Sequence, residues 1–85
     1  MKNVVITSAC RSAIGSYCKT LKNVESSDLG SRVIEASIIK SKLKKNEIDE
    51  VILGQVLTSG LGQNPARQAA MKSGIPKEKP AFIVN

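Results

Sequence analysis

Histidine and tryptophan are absent from this chain, phenylalanine and tyrosine occur once each, as Phe82 and Tyr17, and cysteine occurs twice, as Cys10 and Cys18. Without histidine there is no Cys–His or Ser–His pair for nucleophilic catalysis and no ordinary zinc ligand set. Two cysteines are too few for a disulfide scaffold and fit a reducing compartment. The opening MKNVVITSAC holds one lysine and an apolar run of strand length, too short for a membrane span or a full secretory leader, so the cytoplasm is the expected location. Large flat anchors for a single compact core are nearly missing. A chain of 85 residues is expected to bury only about 60 to 65% of the surface its unfolded form exposes. The apolar residues present are Val, Ile, Leu and Ala, a composition that suits helices packed on a parallel sheet and favours an α/β fold over a sandwich.

Acidic residues are also scarce: seven Asp and Glu stand against thirteen Lys and Arg, a formal charge of +6. Such a balance raises the question of a polyanionic partner. The densest basic cluster, Lys40, Lys42, Lys44 and Lys45, falls where a helix should end, and cations there complement the helix dipole. No aromatic residues interleave with it to stack on bases, so neither nucleic acid nor membrane is an expected partner.

Along the chain, Val4 to Ser8 reads as a short buried strand because Val-Val-Ile-Thr is β-branched throughout. A loop follows from Arg11 to Val24. Ser27 and Asp28 then initiate a helix whose apolar set, Leu29, Val33, Ile34, Ala36, Ile38, Ile39 and Leu43, recurs at three- and four-residue steps. Gly30 inside it costs about 1 kcal/mol relative to alanine, a cost that packing on a sheet would offset. Val51 to Leu57 reads as a second strand, with Gly54 marking a bulge or close approach. Asn64, Pro65 and Gly74 supply the cap, first position and stop of a second helix. Pro76 and Pro80 force an extended connection, and Ala81 to Val84 begins a third strand. The expected order is β-α-β-α-β, an incomplete sheet with helices packed on it. A strand running straight into Asn85 gives the sequence the look of a cut piece.

Little in this chain carries chemistry by itself. Gly60 and Gly62 precede a helix, which invites a dinucleotide reading, but the third glycine of that fingerprint would fall at Pro65 and no acidic residue follows a second strand at the required distance. Arg67 lies one turn into the second helix, where a cation is disfavoured by the dipole unless a partner fixes it; otherwise its stem packs along the helix. Cys10 and Cys18 lack a neighbouring base that would make a reactive thiolate. Ser8, Ser16, Ser26 and Ser27 have no general base to activate them. No catalytic, cofactor or metal residue is expected within residues 1–85.

Several segments nonetheless resemble one family in order and spacing. Val4-Val5-Ile6-Thr7-Ser8-Ala9-Cys10-Arg11-Ser12-Ala13-Ile14-Gly15-Ser16-Tyr17 is similar to the first strand and loop of thiolases, usually written SA-x-R-T-x-I-G-x-F. Asp49-Glu50-Val51-Ile52-Leu53-Gly54-Gln55-Val56-Leu57 resembles their D-E-V-I-x-G-x-V-L strand, and Gly60-Leu61-Gly62-Gln63-Asn64-Pro65-Ala66-Arg67-Gln68-Ala69-Ala70 resembles their most recognisable amino-terminal motif. Tyr17-Cys18-Lys19 departs from the family's aromatic followed by two glycines, which leaves Cys18 at a turn without glycine's backbone freedom.

The resemblance implies the amino-terminal portion, about one fifth, of an acetyl-CoA acetyltransferase, with residues 1–85 forming a partial amino-terminal domain. It implies CoA thioesters as substrates of the complete enzyme, no resident cofactor, and the remainder of the chain as partner in a homodimer or tetramer. The nucleophilic cysteine, the histidine and the acid/base cysteine are expected beyond Asn85, so residues 1–85 alone are expected to be inactive. Gly62, Asn64 and Arg67 receive an interface or structural role. A free-standing small α/β binding module derived from the same family is the alternative.

Overall fold

The computed structural model describes residues 3–85, and among them are two α-helices, a 3-10 turn and a pair of parallel strands. Helix α1 spans Ser26–Ser41 and is followed by the 3-10 turn Lys45–Glu47; strand β1 spans Val51–Gly54, helix α2 Pro65–Lys72 and strand β2 Ala81–Val84. β1 and β2 pair in parallel with Val51 opposite Ala81 and Gly54 opposite Val84. Gly54 therefore sits in regular register, and no bulge is needed there.

Both helices cover the same face of this ribbon. The core is Ile38 from α1, Val51 from β1, Ala70 from α2 and Ile75 from the connection, with Ile34, Ile48, Leu53 and Ala81 packed around it. On the other face Ile52, Phe82 and Val84 are exposed. Parallel strands read as continuous apolar runs because both faces are ordinarily covered; here one face is covered by described residues and the other is not.

The helices approach closely because the residues between them are small. Ala66, Ala69, Ala70 and Ser73 are fully buried, and a Cβ added at Gly30 would lie 3.4 Å from the Ala69 Cβ and 3.7 Å from the Leu53 Cδ1. Gly30 thus offsets its low helix propensity mainly by packing against α2. The Ser73 hydroxyl donates to the Ala69 carbonyl at 2.6 Å and the Ser31 carbonyl at 3.3 Å, satisfying a polar group that would otherwise be costly to bury.

Local expectations shift at three places. The first strand is corrected: Val4 to Ile6 form no regular element and are exposed, without a ladder partner among the described residues. Their β-branched character favours extension, but a strand exists only when a neighbour takes its backbone bonds. What holds this segment is the side of α1: the Ser8 hydroxyl donates to the Ser37 carbonyl at 2.9 Å, the Cys10 thiol to the Val33 carbonyl at 3.4 Å, and Lys40 to the Ala9 carbonyl at 3.1 Å. Second, α1 begins one residue before the expected caps, with Glu25 preceding it and making no side-chain cap. Ser27 and Asp28 fall inside the first turn and serve α2 instead. Third, the second strand ends at Gly54, three residues short of Leu57.

Backbone strain marks the turn the sequence singled out: Cys18 has φ 58°, the left-handed conformation glycine adopts without cost. Lys42 at φ 63° closes α1 in the same conformation, with its N–H donating to Ile39 and that of Leu43 to Ile38, the pattern of a Schellman stop.

Candidate functional site

The glycine-bearing loop and the first turn of α2 form one hydrogen-bonded unit. Gly60 and Gly62 both have φ 76°, allowing the chain to fold back before the helix. At Gly62 a Cβ would lie 3.1 Å from the Gln68 Nε2, so a side chain there would strain the backbone and push against the Gln68 amide. Gln68 uses that nitrogen to donate to the Leu61 carbonyl at 2.7 Å and the Gln63 carbonyl at 2.9 Å, fastening the loop to the helix it precedes.

Asn64 is the pivot. It adopts φ 42°, ψ 78°, a conformation asparagine tolerates better than other non-glycine residues and one that avoids the α region disfavoured before Pro65. Its Oδ1 accepts from the Arg67 N–H at 3.1 Å as an N-cap, and its Nδ2 donates to the Ala81 carbonyl at 3.0 Å, the first residue of β2. The carbonyls of Pro80 and Val84 accept from Val51 of β1 and from Gln55 just after it. The Ala81 carbonyl points to the opposite edge by strand alternation, where the Asn64 amide takes the place of a neighbouring strand's donor.

Arg67 finds the partner its position demanded. Its Nη1 donates to the Lys79 carbonyl at 2.9 Å and its Nη2 to the Lys77 carbonyl at 2.5 Å, a fork on two backbone oxygens of the connection leading into β2. Gly62, Asn64 and Arg67 are thereby brought together in one hydrogen-bonded unit. The role of Gln68 was not legible from the sequence; it lies within the motif, one position beyond Arg67, but nothing in its type announces two carbonyl partners.

A second polar cluster joins the helices at the other end of α2. The Lys72 ammonium lies 2.7 Å from the Asp28 carboxylate, 2.7 Å from the Ser27 hydroxyl and 3.5 Å from the Glu25 carboxylate. The hydrogen bond to Asp28 is the main cause of a raised Lys72 pKa; partial desolvation opposes it, and the charge of Asp28 with the bond and charge of Glu25 add to it. Because the folded value exceeds the ordinary 10.5, the contribution to stability is complete below that pH and is lost as pH rises through the folded value. Urea midpoints at pH 8 and pH 11 should therefore differ more for the unsubstituted chain than for Asp28→Asn; equal differences would remove this ion pair from the pH dependence.

No cluster of three or more Cys, Asp or Glu residues able to hold a metal occurs among the described residues. Cys10 and Cys18 are both free and exposed. The Ser26 hydroxyl accepts from Gln55 at 3.2 Å and that of Ser27 from Lys72, so neither has a base beside it. No described helix is long and apolar enough to cross a membrane. This arrangement can hold a strand and a helix in fixed relation.

The folded motif unit and the parallel β-α-β arrangement make this a small α/β unit, and its family is shown by sequence: the thiolase amino-terminal domain matches residues 4–85, and the chain belongs to that family. The chain is 52% identical over all 85 residues to the acetyl-CoA acetyltransferase of Escherichia coli K12, and 47% identical over the same length to that of Cupriavidus necator. In both comparisons it spans 22% of the relative's length. Its fold matches the crystal structure of the Acat5 thiolase from Ascaris suum in complex with coenzyme A with a TM-score of 0.80 and 41% identity, over 82% of this chain and 18% of that one. The chain thus spans about a fifth of the length of the curated relatives it matches.

Proposed function

We propose that residues 1–85 serve as the amino-terminal part of an acetyl-CoA acetyltransferase, a cytoplasmic enzyme that condenses two acetyl-CoA molecules to acetoacetyl-CoA or runs the reverse thiolysis. The observation that carries this reading is the match to acetyl-CoA acetyltransferases along the full length of the chain, motif loop included. In the proposed reaction a cysteine thiolate attacks the thioester carbon of acetyl-CoA, forming an acetyl-cysteine thioester and releasing CoA. A second cysteine takes a proton from the methyl carbon of another acetyl-CoA, and the carbanion attacks the acetyl-cysteine, releasing the thiolate and acetoacetyl-CoA. Thiolate activation and stabilisation of the developing oxyanion need a histidine and aligned donors. These groups are assigned to the sequence that follows position 85 in the complete enzyme.

The role of the present residues in that enzyme is architectural: β1, β2 and the two helices hold the sheet, and Gly62, Asn64 and Arg67 hold the second strand. CoA thioesters are substrates, no resident cofactor is required, and a homodimer or tetramer is the proposed assembly. The test is a chimera in which these 85 residues replace the matching segment of the Escherichia coli relative, assayed for acetoacetyl-CoA thiolysis. Turnover within about tenfold of the parent is expected, since a well-fitting scaffold should preserve near-attack geometry. A soluble, folded chimera without turnover would overturn the assignment, as would turnover by residues 1–85 alone.

A further inference from the structure

We infer that Arg67 and Asn64 are positioning residues for turnover, setting how far β2 advances toward the substrate-facing edge of the sheet; the inference rests on the acetyltransferase reading above. In open sheets of parallel strands, ligands bind outside the carboxyl ends of the strands. β1 and β2 are parallel and in register, so Gly54 and Val84 end side by side and define that edge here. At the opposite end, the start of β2 is held by side chains from α2. Arg67 grips the carbonyls of Lys77 and Lys79, and Asn64 grips that of Ala81, at alternate residues of the strand's approach. The Asn64 Oδ1 also accepts from the Arg67 backbone, which ties the two grips to one helix turn.

These contacts lie outside the apolar core of Ile38, Val51, Ala70 and Ile75. Removing the Arg67 guanidinium leaves that core intact and frees the Lys77 and Lys79 carbonyls from α2, while the turn bond from Lys79 to Pro76 and the ladder bond from Val51 to Pro80 keep the segment folded. The consequence is a shift of β2 along its axis relative to α2 rather than unfolding. A displacement of about an ångström at a reacting centre can cost on the order of a hundredfold in rate.

The measurement is a kcat-against-KM comparison in the active chimera, with Arg67→Met, Arg67→Lys and Asn64→Asp. Arg67→Met should lower kcat by about tenfold or more while KM for CoA stays within about twofold, the signature of misplacement rather than lost binding. Arg67→Lys should not restore kcat, because a single ammonium cannot fork onto two carbonyls. Asn64→Asp keeps the acceptor for the Arg67 N–H but loses the donor to Ala81, and should also lower kcat in a protein that retains its helical circular dichroism. Unchanged kcat per folded enzyme, with only the melting temperature reduced, would overturn the inference and leave the residues as plain staples. An inactive unsubstituted chimera would instead overturn the acetyltransferase reading on which the inference stands.

Discussion

Replacing Ile75 by alanine is expected to cost about 2 to 4 kcal/mol, among the largest losses any single truncation here should produce. Ile75 lies in no helix or strand, yet it is only 3% exposed and shares the core with Ile38, Val51 and Ala70. Among these four, only three side chains exceed alanine in size, so each contributes a large share of the apolar contact that holds helices to ribbon. Its backbone is fixed by an N–H donated to Ala70 at 3.1 Å and by the turn through Gly74, whose φ is 82°. The surroundings therefore have little freedom to collapse into the space left behind, which places the cost above the bare transfer free energy of the lost methylenes. The check is a urea titration of the chain with and without Ile75→Ala. A lower midpoint at unchanged slope is expected, and a loss below about 1 kcal/mol would show that the core does not depend on this residue.

Much of this fold could be read from periodicity and from turn chemistry. The apolar set from Leu29 onward fixed α1 and the run Asn64-Pro65 with Gly74 fixed α2, but the connection between the two prolines is not extended as expected: the Lys79 N–H donates to the Pro76 carbonyl at 3.1 Å and closes a turn. The strands were legible as β-branched runs, but Val4 to Ile6 and Val56 to Leu57 show the limit of that signal. A β-branched residue favours extension, while a ladder depends on a neighbouring edge that the local sequence does not contain. Helix caps failed in a similar way at Ser27 and Asp28. Both are good N-cap types, but a lysine 44 residues from Asp28 offered them a better use, and no local rule anticipates a partner on another helix.

The motif residues were easier to locate than to interpret. Gly60 to Ala70 stood out by resemblance, and Arg67 stood out physically as a cation where the helix dipole disfavours one. That its guanidinium would take two backbone carbonyls, and that Asn64 would span from the cap of α2 to the edge of β2, depends on distances across the connection. The +6 charge was read as a solvated surface from the sequence, and Lys42, Lys44 and Lys45 are exposed at the end of α1 and in the turn after it.

Filling the contact between α1 and α2 should be as damaging as emptying the core. Ala69 is fully buried with its Cβ facing Gly30, and the ideal Cβ position at Gly30 already falls within ordinary contact distance of it, at 3.4 Å. Ala69→Leu adds three carbon atoms where the helix axes have no room to give. The helices must move apart, which also pulls the Ser73 hydroxyl from the Ser31 carbonyl and separates Lys72 from Asp28. Overpacking of this kind costs about 1 to 3 kcal/mol, and the lost buried hydrogen bond adds about 1 kcal/mol more. Gly30→Ala is the matched control: its Cβ just fits, and the gain in helix propensity, up to about 1 kcal/mol, should leave stability unchanged or slightly raised. Unfolding free energies from urea titrations of the two variants should therefore move in opposite directions or differ by at least about 1 kcal/mol. Equal destabilisation would mean that the crossing already stands at its tightest, and a tolerated Ala69→Leu would show that small residues at this crossing are not what sets the distance between the helices.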